Sequence, residues 1–173
     1  YVAGEALLAG APALAMIGLL VGFYFLNWIP PVPLSMKFGG MYHEVKRAGD
    51  HFELSYEKRW FQVWQRSNTT VAADEPIYCF TAVFAPVTLK TTVYHHWYYR
   101  SDKSKPFSHA DKIPLKIAGG REGGYRAYTF KQGLDVGDWR VDVETEDGRV
   151  IGRVPVHVEK RDDASRSLTT IVY

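Results

Sequence analysis

From Ala6 to Met36 the chain carries no charged side chain. Within that run, Ala6 to Trp28 reads ALLAGAPALAMIGLLVGFYFLNW, about the ~20 apolar residues that a bilayer core demands. A cleaved signal peptide would have a basic start, a shorter apolar core and a small-residue cleavage site. This run instead follows Glu5 and ends in Phe23, Tyr24, Phe25 and Trp28, so we read it as a retained transmembrane helix within residues 1–29. Pro12 fits the first helical turn, where its missing N–H is not needed, and this places the helix from near Ala11 to Trp28. The chain starts at Tyr1 rather than Met, which leaves room for further spans upstream.

One stripe of this helix is made of small residues. Ala11, Ala15, Gly18 and Gly22 follow at spacings of four, three and four, and Gly18 with Gly22 forms a GxxxG pair. Such a stripe lets a second helix approach closely, so other transmembrane subunits are expected partners beside membrane lipid. The competing reading is that Gly and Ala are simply common in membrane helices.

Residues 30–50 read as a membrane-proximal junction. Pro30, Pro31 and Pro33 forbid helix continuation and set a stiff, extended segment. Trp28, Lys37 and Tyr42 are expected as interface anchors at headgroup level. Lys37, Lys46 and Arg47 follow the span closely while no Lys or Arg precedes it, which places the rest of the chain on the cytoplasmic side of a bacterial inner membrane.

Residues 51–173 have a different character. Of 21 Lys+Arg and 19 Asp+Glu, only Glu5 lies in the first 36 residues, so the remainder has the charge of an ordinary globular domain. Its periodicity is two and it is rich in Val, Tyr, Phe, Trp and Thr, which suit a pleated, half-buried surface. Strands are expected over 51–56, 60–66, 77–84, 91–99, 114–118, 125–130, 138–146, 149–159 and 168–172. The clearest alternation sets Trp139, Val141, Val143 and Thr145 against Arg140, Asp142, Glu144 and Glu146, one face buried and one solvated. Asp147-Gly148 suits a two-residue hairpin turn. Seven or more short strands with regular turns and no soluble helix predict an antiparallel, immunoglobulin-like β-sandwich.

Chemistry is harder to find. A net charge of +2 and the lack of a stacking platform exclude a nucleic-acid binder, and the single Cys79, in an apolar strand, excludes an internal disulfide and reads as core. His95 and His96 are neighbours on a strand and face opposite ways, so they cannot grip one metal ion. His95 shares its face with Val93, Trp97 and Tyr99. It reads as a packed, hydrogen-bonded residue, with partner or ligand contact as the rival. Gly119 to Gly124 lacks the Lys-Ser/Thr ending of a phosphate loop and reads as a hairpin loop. The segment 100–116 is a basic loop, and its Arg100, Lys103 and Lys105 are candidates for contact with anionic headgroups or an acidic subunit. Trp60 and Trp64 share a strand face and, with Trp97, are candidates for an aromatic contact surface. No catalytic residues, metal, cofactor or small-molecule substrate are expected.

The runs Tyr94 to Tyr99 (YHHWYY), Arg121 to Tyr128 (REGGYRAY), Gly137 to Val141 (GDWRV) and Gly148 to Gly152 (GRVIG) resemble a bacterial family known as domain of unknown function 2914. Asn27 to Leu34 and the pair Tyr42-His43 resemble the membrane-proximal part of its longer members. The resemblance covers most of the chain. It implies a C-terminal β-rich domain carried by membrane spans, with no known activity. The small-residue stripe, the stiff proline junction and the absence of a catalytic constellation together give the expected function, a non-enzymatic, membrane-anchored accessory subunit of a larger inner-membrane complex, respiratory or photosynthetic. The alternative is a tethered module that senses or binds a sugar, peptide or envelope component through an aromatic face.

Overall fold

The structure, a computed structural model, describes residues 2–26, 34–57, 66–86, 89–118, 123–160 and 167–173, with only the backbone for residues 2–9. The chain divides into two units, residues 1–33 and 34–173.

The first unit is one helix, α1 (Val2–Phe25). It begins well before Ala11 and runs through Pro12, which therefore sits in the helix interior rather than its first turn. The proline forfeits one backbone bond, to the carbonyl of residue 8, and the turns on either side keep theirs. From Gly10 onward the side chains of Leu14, Ile17, Leu19, Leu20 and Phe25 are exposed. Ala11, Ala15 and Gly18 are exposed as well, and Gly22 is half-buried. Among the described residues no helix is long and apolar enough to cross a membrane.

The second unit is built of β-strands in three sheets. The largest has the order β4 (Thr70–Ala72), β10 (Val150–Glu159), β9 (Gly137–Thr145), β6 (Lys90–Arg100) and β7 (Ser108–Ala118). A second joins β1 (Ser35–Tyr42), β5 (Ile77–Phe84) and β8 (Tyr125–Lys131), and a third joins β11 (Leu168–Val172), β3 (His51–Glu57) and β2 (Glu44–Ala48). All pairs are antiparallel except β4 with β10.

The sandwich has a third layer. Strand β5 alternates between two cores: Ile77 and Cys79 join Met41, Trp97, Val141 and Val156 against the large sheet. Tyr78 and Phe80 face the other way, into Tyr42, Leu54, Tyr56 and Phe52 of the third sheet's core. A strand buried on both faces reads as a continuous apolar run, and IYCFTAVF is one.

Residues 35–48, expected as membrane-proximal junction, are strands β1 and β2 of this unit. A Cβ on Gly40 would lie 2.7 Å from Ser67 Cβ and 2.8 Å from the Tyr42 hydroxyl. Glycine there permits close packing rather than motion. Tyr42 is no interface anchor: it is wholly buried and its hydroxyl donates to the Arg66 carbonyl at 2.8 Å. Lys37 is exposed, its ammonium 4.8 Å from the Phe84 ring centre.

The expected basic loop over 100–116 is mostly strand, since β7 begins at Ser108. Pro114 lies inside β7, where it is tolerated because β7 is the edge of its sheet. The β9–β10 turn is also longer than expected. Thr145 and Arg149 close it through Thr145 N–H to Arg149 O at 2.9 Å, around three residues ending in Gly148 at φ 80°. That is the three-residue hairpin with a left-handed glycine. The strand expected at 60–66, with Trp60 and Trp64, and the anchor Trp28 lie outside the described residues, apart from Arg66, which is not in a strand.

Candidate functional site

Strand β6 sends Val93, His95 and Trp97 inward and Tyr94, His96, Tyr98 and Arg100 outward, where they meet the outward row of β9. His95 and Trp97 are completely buried, so neither can touch a partner or ligand on the folded surface. His95 bridges two sheets: its Nε2 is 2.8 Å from Thr81 Oγ1 and its Nδ1 2.9 Å from Thr129 Oγ1. Trp97 Nε1–H donates to the same Thr129 oxygen at 3.2 Å. The Thr129 oxygen thus accepts from Trp97 and bonds His95 Nδ1, so both ring nitrogens and the indole N–H have partners. Burial pushes the His95 pKa down to about 4.

The outer face departs most from expectation. Asp142 and Glu144, read as part of a solvated row, are 2 % and 6 % exposed. They are covered by their own partners. Glu144 Oε2 accepts from Lys112 Nζ at 2.9 Å, and its Oε1 lies 2.9 Å from His96 Nδ1 and 3.3 Å from the Tyr98 hydroxyl. His96 Nε2 is 2.6 Å from Nδ1 of His109, and its ring lies over Tyr98 at 4.0 Å. Burial pushes the Glu144 carboxyl up, but the bonds and charges of Lys112 and His96 outweigh it and hold the group below its ordinary value. Burial, with Glu144 beside it, pushes the Tyr98 phenol up, and the bond to Glu144 raises Lys112.

The next rows repeat this layering. Asp142 takes ion pairs from Arg140 Nε at 2.8 Å and Arg153 Nε at 3.4 Å. The Arg140 guanidinium packs against the rings of Tyr98 at 5.0 Å and Phe107 at 4.4 Å. At the end of the sheet Asp138 accepts from His157 Nδ1 at 2.7 Å and from Arg100 Nε at 3.0 Å, and these bonds hold its carboxyl low despite burial. Carboxylates thus lie beneath and cations above; Arg153, at 60 % exposed, stands furthest out. Arg100 belongs to this network, whereas Lys103 and Lys105 are exposed in the turn beyond it.

A shallow hollow of about 270 Å³ lies at this end, lined by Ser101, Lys103, Gly137, Asp138 and His157. Among the described residues no three His, Cys, Asp or Glu side chains are placed to hold a metal ion. A separate aromatic group lies on β5 and β8: Phe130, 53 % exposed, stacks on Tyr78 at 5.5 Å, beside Tyr128 at 41 %. Nothing in the sequence singled these out, because exposed and buried aromatics alternate identically along a strand.

The chain has similarity to an immunoglobulin-like protein (PA1606) from Pseudomonas aeruginosa, with 10 % identity, a TM-score of 0.40, and coverage of 75 % of this chain and 99 % of that one. No curated protein matches it. The model of a family described as "Protein of unknown function (DUF2914)" matches residues 90–158. Asn27 to Leu34 and Tyr42-His43 fall outside the match, while REGGYRAY, GDWRV and GRVIG fall within it. The match covers strands β6 to β10, which carry the outer polar face, and over these residues the chain is similar to that family.

Proposed function

We propose that this protein is a non-enzymatic accessory subunit of a bacterial inner-membrane assembly, anchored by its N-terminal helix and docked through the outer face of its largest sheet. The observation that carries this reading is the character of α1: no charge from Ala6 to Met36, and apolar side chains exposed from Gly10 onward. Water does not tolerate so continuous an apolar surface, and lipid or partner helices would cover it. The outer face adds support. Its Arg, Tyr and His side chains are held in place by buried carboxylates, which lowers the entropy lost on docking.

Leucine at Gly18 and Gly22 provides the test. A Cβ at either position meets nothing within 4 Å, so the substitutions do not disturb the chain itself. The double variant Gly18→Leu, Gly22→Leu should remain in the membrane fraction but migrate as a smaller species on native gels. Unchanged migration would count against subunit packing through this stripe.

The exposed Tyr128 and Phe130, with Phe130 stacked on half-buried Tyr78, favour a second reading, a tethered module that binds a ligand by ring stacking. Phe130→Ser would then abolish ligand binding while native migration stays unchanged.

A further inference from the structure

The Arg140 guanidinium packs against two rings of the outer face, 5.0 Å from the Tyr98 centre and 4.4 Å from that of Phe107. Its Nε lies 2.8 Å from Asp142 Oδ1. Its two Nη groups donate no hydrogen bond to any described residue. Arg153 approaches the same carboxylate through its own Nε at 3.4 Å and likewise donates no hydrogen bond from its Nη groups among the described residues. Two guanidinium ions therefore share one buried carboxylate, leaving one positive charge in excess beside unused N–H donors. A fork packed against two rings pays little entropy to bind and matches the two oxygens of a carboxylate.

We propose that Arg140 and Arg153 form a receptor for a carboxylate side chain presented by a partner protein. Charge selects the ligand: the anionic groups of this face lie beneath its cations, so an approaching surface meets guanidinium first. The neighbouring rings keep water from part of Arg140, and this strengthens its pairing. Phe107 is a positioning residue, since it also packs on Arg100 at 4.5 Å and fixes the approach to the fork. The inference takes from the docking reading only the identity of the carrier.

The test is titration of the full chain in neutral detergent with a glutamate decapeptide, and separately with inorganic phosphate, followed by the side-chain Nε–Hε signal of Arg140. The peptide should shift that signal saturably. Arg140→Lys, which keeps the charge but loses the fork, should weaken binding at least tenfold, and Phe107→Leu several-fold. Equal peptide binding by Arg140→Lys, or no shift, would overturn the site. Binding of phosphate without the peptide would overturn the carboxylate assignment. Peptide binding by a protein that purifies without other subunits would leave the site standing and remove the subunit reading instead.

Discussion

His95 is the residue on which the two main layers depend for their polar contact. It has no carboxylate hydrogen-bonded to it, and both ring nitrogens are committed to threonines. Its pKa of about 4, against 6.5 in the unfolded chain, sets a pH window. Below pH 6.5 the unfolded state takes up a proton that the folded state refuses, so stability falls as pH drops from 6.5 towards 4, by about 3 kcal/mol in all. Urea unfolding at pH 7 and pH 4.5 should show this loss, and His95→Gln should reduce it. Thr129→Val strands the Trp97 N–H and one His95 nitrogen and should cost ~3 kcal/mol at neutral pH, while Thr129→Ser recovers most of it. Cys79 is fully buried and its thiol pKa is pushed up. It should resist maleimide in the folded protein and react once the protein is unfolded; labelling of the native state would contradict its place in the core.

Among the elements, β1 is the strand whose sequence hides its role. Its two glycines sit where neighbours come too close for a side chain, so Gly40→Ala should cost about 2 kcal/mol, measurable by thermal unfolding. Strands β5 and β11 were legible to the residue, and β6, β9 and β10 within a residue or so, because period-two alternation and β-branched content mark them. Strand β4 was not legible: three residues carry no periodicity, and its parallel pairing with β10 is a long-range event. The outer face was misread for a related reason. The charges of β9 alternate as solvated charges do. Their burial follows from pairing with β6, where His96 lies opposite Asp142 and Tyr94 opposite Glu144, and only the assembled register supplies that pairing. Tyr94, His96, Tyr98 and Arg100 did share a face in the sequence, and that was the available signal. The sharing of Asp142 by Arg140 and Arg153, and the packing of Phe107 against Arg140, had none.

The whole β-unit is a sandwich with one additional layer. The strands matched by the family model make up most of the large sheet, with β8 in the middle layer. The third sheet is made from β2, β3 and β11, outside the match. It covers Phe80 and leaves Tyr128 and Phe130 exposed, so the unit offers two distinct surfaces, one cationic and one aromatic. The account assigns docking to the first. Its central claim is that this chain works as a subunit. The most direct measurement is purification of the intact protein from its native membranes in mild detergent, with mass spectrometry of everything that accompanies it. The account predicts integral membrane proteins at fixed stoichiometry, lost together in the Gly18→Leu, Gly22→Leu variant. Recovery of the protein alone from the membrane would contradict it.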